Sequence, residues 1–209
     1  VNAYYNPSMN EIVFPAGILQ PPFFDFTADD AVNYGGIGVV IGHEISHGFD
    51  DEGSKFDAEG NLKEWWSPET RKQFEERTGT LAGQFDNFVP IDSLHINGKA
   101  TLGENIGDLG GLAIAYTALQ NALKGKKIES IDGFTPNQRF YISYAQIWRR
   151  NVRPEQLRRQ LKTDVHSPAE FRVNGSLPNL QTFFDAFGGD STSAMYLAPA
   201  KRALIWNLP

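Results

Sequence analysis

Two histidines lie four residues apart in a helix-patterned segment, with a glutamate directly after the first: His43, Glu44 and His47. Apolar residues recur there at three- and four-residue spacing, which predicts a helix from about residue 31. Residues four apart on a helix lie one turn above each other, so both imidazoles can reach one ion. The spacing therefore predicts a helix that carries two metal ligands.

Four glycines interrupt the same segment, at Gly35, Gly36, Gly38 and Gly42. A glycine inside a helix costs roughly 1 kcal/mol relative to alanine, so a compensating contact is expected. Close approach of another backbone or helix is the simplest compensation. We therefore expect this helix to lie buried in the middle of the domain.

The residue types favour zinc, since neutral imidazole is a common zinc ligand. The carboxylate of Glu44 points beside such an ion, where it can take a proton from metal-bound water. The alternative is a histidine pair on a helix surface, but the apolar, glycine-rich surroundings argue against an open surface. The chain has four histidines in all, so this spacing around a glutamate is not expected by chance.

A catalytic zinc site needs a third protein ligand, which leaves one position for water. Glu104 and Asp108 lie four apart in a second predicted helix, from about residue 101 to 124, and so share a face. Glu104 is the candidate ligand, and Asp108 can accept a hydrogen bond from a ligand histidine. Asp50, three residues after His47, is the matching acceptor. Without the histidine pair, the two acids would be interpreted as charges that favour a helix N-terminus.

His166 and Arg172 are weaker candidates on the residues alone, since an isolated histidine is more often structural and an arginine usually solvated. Between them, Ser167 followed three residues later by Glu170 is a capping-box pattern. It predicts a short helix that ends near Gly175.

The chain as a whole is predicted to be mainly α with a small β-sheet, an α+β class. Residues 1–5 and 11–14 have strand composition. Serine–proline at 67–68 and threonine–proline at 135–136 predict two further helix starts. From its length, we expect one domain over residues 1–209.

Composition excludes several other functions. The chain has no cysteine, which excludes a disulfide scaffold, cysteine-ligated metal sites and a cysteine nucleophile. A net charge of −6 argues against nucleic acid or an anionic membrane as a partner. The arginine run between residues 149 and 159 is more often a solvated helix face than a phosphate track. No stretch reaches the roughly 18 apolar residues that span a bilayer, so we expect no transmembrane segment.

Several segments, in order along the chain, resemble the catalytic portion of the neprilysin family of zinc endopeptidases. Residues 1–5 (VNAYY) resemble its substrate-binding strand, and residues 39–50 (VVIGHEISHGFD) resemble its extended zinc motif. Residues 103–108 (GENIGD) resemble its third-ligand motif. Residues 164–168 (DVHSP) with 172–175 (RVNG) resemble its late substrate-binding segment. The resemblance spans essentially the whole chain.

This resemblance implies a thermolysin-like zincin catalytic domain built around two zinc-bearing helices, with one zinc ion per chain. Three residues would bind the ion: His43, His47 and Glu104. Glu44 would be the general base and then the proton donor to the leaving amine. Asp108 and Asp50 would orient the ligand histidines.

The resemblance also implies how a substrate is held and what is cleaved. Asn2 and Ala3 would pair with the backbone of a peptide substrate. His166 would stabilise the oxyanion, and Arg172 would hydrogen-bond a substrate carbonyl. The implied activity is cleavage of oligopeptides before hydrophobic residues.

The C-terminal end departs from the family pattern. The family commonly has a cysteine three residues before a tryptophan, where this chain has Ala203 before Trp206. The difference indicates a bacterial-type protein, for which we expect a periplasmic or lipid-anchored location rather than a cytoplasmic one. The family's large N-terminal helical lobe is absent from these residues. We therefore expect this chain to be part of a longer two-lobed protein, with that lobe as its partner.

Two alternatives stay open. Another class of zinc hydrolase could share only the histidine pair, and it would have no need of the four substrate-side residues. A zinc-stabilised peptide-binding domain without turnover could use the same ligands. A purely structural site, however, has no use for Glu44.

Overall fold

The computed structural model describes residues 1–127 and 129–206. Two short strands, β1 (Tyr4–Asn6) and β2 (Glu11–Val13), come before the α-helices. The helices are α1 (Asp30–Asn33), α2 (Val39–His47), α3 (Pro68–Asp86), α4 (Leu102–Leu123), α5 (Pro136–Ile147), α6 (Pro154–Thr163), α7 (Ala169–Ser176) and α8 (Gln181–Phe187). The predicted mainly helical, α+β class is confirmed.

The strands pair antiparallel, with Tyr4 opposite Val13 and Asn6 opposite Glu11. The first strand begins at Tyr4, so the prediction that it includes Asn2 and Ala3 is wrong. Ala3 is instead buried in a small apolar cluster with Ile18 and Ile37. The two residues therefore lead into the sheet without belonging to it.

Helix α2 continues directly from α1 through a π-helical turn, Tyr34–Gly38. A Cβ at Gly35 would overlap the carbonyl oxygen of Phe140, and one at Gly36 would overlap that of Phe23. The π-helical turn thus carries the α1–α2 segment past two other backbones, which accounts for its glycines.

Helices α2 and α4 cross with their backbones almost in contact. A Cβ at Gly42 would lie 2.9 Å from Gly111 Cα, and one at Gly111 would lie 2.5 Å from the carbonyl oxygen of Val39. A Cβ at Gly107 would lie 2.7 Å from the ring of His43. The predicted close approach of another helix to the glycine-rich segment is therefore confirmed.

Helix α4 lies between two apolar clusters. One cluster joins it to α2, α5 and the residues after α7: Val39, Leu112, Ala115, Leu119, Phe140, Tyr141, Tyr144 and Leu177. The other joins it to α3 and the C-terminal segment: Phe74, Leu81, Phe85, Ile106, Leu109, Ala203 and Ile205. Because α4 packs on both sides, its position against α2 is fixed by the core.

Two of the predicted helix caps are present. The Ser67 hydroxyl accepts a hydrogen bond from the backbone N–H of Thr70 at the start of α3. The Thr135 hydroxyl accepts one from the backbone N–H of Gln138 at the start of α5, and Gln138 Oε1 accepts one from the backbone N–H of Thr135. Within the residues described, no helix is both long and apolar enough to cross a membrane.

The capping box predicted at Ser167 is wrong. Helix α7 begins at Ala169 after Pro168, with no side-chain cap. The Ser167 hydroxyl is buried and donates to the side chain of Asn105 in α4. A tertiary contact has therefore replaced the local one that the pattern favours.

Replacing Gly111 with alanine tests the α2–α4 contact. The new methyl group would press on the backbone of Val39, so Gly111→Ala should lower the free energy of unfolding by about 1–3 kcal/mol. Urea denaturation of the zinc-loaded protein measures this change. Gly79 in α3 is the matched control, because a Cβ added there would have nothing within 4 Å. Gly79→Ala should be neutral or stabilising by up to about 1 kcal/mol. Equal effects of the two substitutions would contradict the close packing.

Candidate metal centre and active site

The two histidines of α2 face the first turn of α4. His43 Nε2 lies 3.3 Å from Glu104 Oε2, and His47 Nε2 lies 3.6 Å from Glu104 Oε1. One ligand atom from each of these residues lies within 4.8 Å of the other two. The three predicted ligands are therefore brought together by the α2–α4 crossing.

This arrangement fits a zinc ion. Ligand atoms bound tetrahedrally at 2.0–2.1 Å from zinc lie about 3.3 Å from one another, close to the 3.3 Å and 3.6 Å between the two histidine Nε2 atoms and the Glu104 oxygens. Two neutral imidazoles and a carboxylate are the donor set of known catalytic zinc sites. The fit depends on the Nε2 atoms being free of protons.

Two carboxylates set the histidine tautomers. His43 Nδ1 lies 3.0 Å from Asp108 Oδ1, and His47 Nδ1 lies 2.7 Å from Asp50 Oδ2. An ionised carboxylate only accepts hydrogen bonds, so each Nδ1 is a donor, and Nε2 is the atom left to bind a metal ion when the ring is neutral. Asp50 is itself held by the backbone N–H groups of Glu52 and Gly53.

The local field favours a cation at this point. Burial lowers the pKa of His43, but its bonds to Asp108 and Glu104 outweigh burial and raise it to about 9. Burial raises the pKa of Glu104, but His43 and Arg172 outweigh it and lower the pKa to about 2. The carboxylates that raise the proton affinity of His43 also raise its affinity for a metal cation.

Glu44 lies beside the ligands in the same cavity. Its side chain is on α2, one residue after His43, and the residue is only 6% exposed. Burial raises the pKa of its carboxyl above the ordinary value. Burial thus makes Glu44 a better proton acceptor than a solvated glutamate.

Arg172 holds Asp108 through two hydrogen bonds. Its Nε lies 2.7 Å from Asp108 Oδ2, and its Nη2 lies 2.6 Å from Asp108 Oδ1. The guanidinium lies 3.9 Å from the centroid of the Trp148 ring, which covers it. Asp108 is therefore fixed between His43 and Arg172 and keeps its charge.

His166 approaches the centre from the segment between α6 and α7. Its Nε2 lies 3.3 Å from Glu104 Oε2, and its Nδ1 lies 2.7 Å from Asp164 Oδ1. The structure thus brings His166 to Glu104, the predicted third ligand, and it adds Asp164 as a partner that sequence reasoning missed. Asp164 shows the same signal as Asp50, an acid a few residues from a histidine.

The centre opens into a cavity of about 1,090 Å³. Asn2 and Ala3 line it, as do His166 and Arg172. Apolar residues line it as well, among them Ile18, Phe23, Val39, Val40, Ile147 and Trp148. All the predicted site residues therefore surround one space, although they come from distant parts of the chain.

The family model of peptidase family M13 matches residues 2–203. The chain belongs to peptidase family M13. It is 46% identical over 211 residues to neprilysin of Homo sapiens and 45% identical over 209 residues to endothelin-converting enzyme 1 of Rattus norvegicus. The alignments cover 99% of this chain but 28% and 27% of those proteins.

Solved structures of M13-like proteins share the fold. Zinc metalloprotease Zmp1 of Mycobacterium tuberculosis, in complex with an inhibitor, superposes with a TM-score of 0.96 at 52% identity. That match covers 99% of this chain and 32% of the Zmp1 chain. PepO of Lactobacillus rhamnosis gives a TM-score of 0.86 at 39% identity over 96% of this chain and 30% of its own. The predicted neprilysin-family resemblance and catalytic-domain fold are confirmed, and the roles of single residues stay predictions.

Removal of Glu104 tests the third ligand. Glu104→Ala should lower zinc affinity by more than tenfold, since loss of groups that merely orient ligands already costs 10–100-fold. Metal analysis after dialysis against a graded zinc buffer measures the change. Glu170→Ala, at an exposed acid in the first turn of α7, is the control and should keep wild-type zinc content. Unchanged occupancy in Glu104→Ala would move the third ligand elsewhere.

Proposed function

We propose that the protein is a zinc-dependent endopeptidase that hydrolyses peptide bonds in oligopeptides. The observation that carries the proposal is the convergence of His43, His47 and Glu104 beside the buried carboxylate of Glu44. Membership of peptidase family M13 supports it. The chain spans little more than a quarter of the curated relatives it matches, so the activity is proposed for the protein that contains these residues.

The proton transfers are assigned to Glu44. Bound zinc supplies a Lewis acid that polarises the scissile carbonyl and lowers the pKa of water toward about 7. Glu44 accepts the proton of the attacking water and then donates it to the leaving amine. Its burial suits both tasks, because a raised pKa brings a carboxyl nearer to working pH.

His166 is assigned to the oxyanion of the tetrahedral intermediate. Because Asp164 accepts from Nδ1, the ring can donate from Nε2 only when it carries both protons. Asp164 Oδ1 lies 2.7 Å from Nδ1, and Glu104 Oε2 lies 3.3 Å from Nε2. A charged donor aimed at developing negative charge stabilises the transition state more than the ground state.

The remaining polar groups are assigned to the substrate backbone. Asn2 and Ala3 lie on the cavity wall just before the paired strand, where an extended peptide can add alongside. Arg172 uses Nε and Nη2 on acids, while its Nη1 donates to no group among the described residues. That nitrogen is the one we assign to a substrate carbonyl.

The alternative of a zinc-stabilised binding domain is not favoured. Such a site needs no buried proton acceptor beside its ligands, and Glu44 would then be a costly buried acid. The second alternative, an unrelated zinc hydrolase with the same histidine pair, does not fit the family match over residues 2–203. For the whole protein, we propose a second, N-terminal lobe as partner and a location outside the cytoplasm.

Replacing Glu44 by glutamine separates catalysis from metal binding. Glu44→Gln keeps the shape of the side chain but removes the base, so kcat on a fluorogenic peptide should fall by about 10²–10⁴-fold. Zinc content, measured on the same full-length preparation, should not change. Glu52→Gln, at an exposed acid on the same cavity wall, should keep wild-type turnover. Peptidase activity retained in Glu44→Gln would refute the assignment.

The apolar part of the cavity wall predicts the specificity. We propose that it receives the side chain that follows the scissile bond. Phe23→Ala removes a ring from this wall and should lower the preference for leucine over alanine at that position several-fold. A leucine side chain gains roughly 1–3 kcal/mol over a smaller one in such a pocket. The ratio of kcat/KM for two peptides that differ only there measures it, and an unchanged ratio would place the pocket elsewhere.

A further inference from the structure

His166 lies in residues 164–168, which form neither helix nor strand. Its side chain is 46% exposed, so burial does not hold the ring. Yet its Nε2 lies 3.3 Å from the ligand oxygen of Glu104, a separation that the proposed oxyanion role needs to keep. Something other than ring packing must fix the segment against α4.

The next residue supplies a fixed point. The Ser167 hydroxyl donates to Asn105 Oδ1 over 2.8 Å, and both residues are buried, at 1% and 0% exposure. Asn105 Nδ2 in turn donates to the Thr101 hydroxyl over 3.0 Å, and Thr101 donates to the carbonyl of Asn97 over 3.1 Å. This relay leaves Asn105 Oδ1 as the acceptor that faces Ser167.

The sequence neighbours of Asn105 and Ser167 indicate what this hydrogen bond connects. Asn105 directly follows the ligand Glu104, and Ser167 directly follows His166. The hydrogen bond therefore ties the residue after the third ligand to the residue after the oxyanion donor. Neither side chain is a candidate metal ligand. Ser167 also does not form the local helix cap that its sequence pattern favours.

We propose that Ser167 and Asn105 are positioning residues, which together form a latch that holds His166 at its working distance from Glu104. The proposal rests on the proposed peptidase function for its kinetic consequences, but the geometry it invokes can be measured without turnover. Asp164 contacts the ring itself at Nδ1, whereas the latch joins the next residue to α4, so the two contributions are separable.

Ser167→Ala tests the latch kinetically in the full-length, zinc-loaded protein. A displaced oxyanion donor weakens the transition state and leaves ground-state binding alone. We expect kcat to fall by about tenfold, in line with the cost of small misplacements, with KM within twofold. Affinity for a phosphonate peptide, whose tetrahedral anion mimics the oxyanion, should fall in parallel, and zinc content should not change.

Ser143→Ala is the matched control. Ser143 is a buried serine of α5 whose hydroxyl donates to the carbonyl of Val32 over 2.7 Å, away from the centre. This control also loses one buried hydroxyl and should keep wild-type kcat. In a His166→Ala background, Ser167→Ala should lower kcat no further, because the latch acts only through His166. Equal kcat for both serine variants, or a loss that persists without His166, would overturn the proposal.

Crystal structures of zinc-loaded wild type and Ser167→Ala give the readout that does not depend on activity. We expect the His166 ring to move away from Glu104 or lose order in the variant, while His43 and His47 stay in place. An unmoved ring would overturn the latch. If the wild-type protein cleaves no peptide, the proposed function fails, and the crystal comparison still decides whether the latch exists.

Discussion

The close crossing of α2 and α4 is the contact on which the centre depends. Two histidines on one helix can only face a glutamate on another if the helices approach within side-chain reach of a single ion. Gly42 and Gly111 let the backbones touch, and Gly107 leaves room for the ring of His43. A larger residue at any of these positions would overlap its neighbours and press α2 away from α4.

Charge imposes the second constraint. Asp108 lies within hydrogen-bond distance of His43, but a buried carboxylate is stable only when it is paired or hydrogen-bonded. Arg172 supplies both through its two bonds, and Trp148 covers the guanidinium. His43 is thus held by a series of contacts that reaches from α4 to α7 and to the end of α5.

Local spacing explains what the sequence could predict. The four-residue interval within each helix places His43 with His47, and Glu104 with Asp108, because helical periodicity is a local property. Glycines in a helix predict a close neighbour but do not say which one. Three other contacts depend on tertiary packing, which local spacing does not predict. Arg172 pairs with Asp108, Trp148 packs over the Arg172 guanidinium, and Ser167 bonds to Asn105 instead of capping α7. The predicted start of β1 is wrong for a related reason, because pairing with β2, and not local composition, decides where β1 begins.

The concentration of acids around the centre links the metal to the fold. Glu44, Glu104, Asp50 and Asp108 lie buried or half-buried around one space, and Arg172 pairs with two of them, Glu104 and Asp108. Asp51 shows the cost of such crowding, because burial and the neighbouring charge of Asp50 raise its pKa to about 6. A divalent cation held by His43, His47 and Glu104 would offset part of the negative charge of these acids. Binding free energy of this kind adds directly to folding stability, since the unfolded chain does not hold the ligands together. Zinc would therefore stabilise the α2–α4 crossing as well as supply the chemistry. The glycines allow the two helices to come close enough to share the ion, and the bound ion would in turn stabilise that close packing.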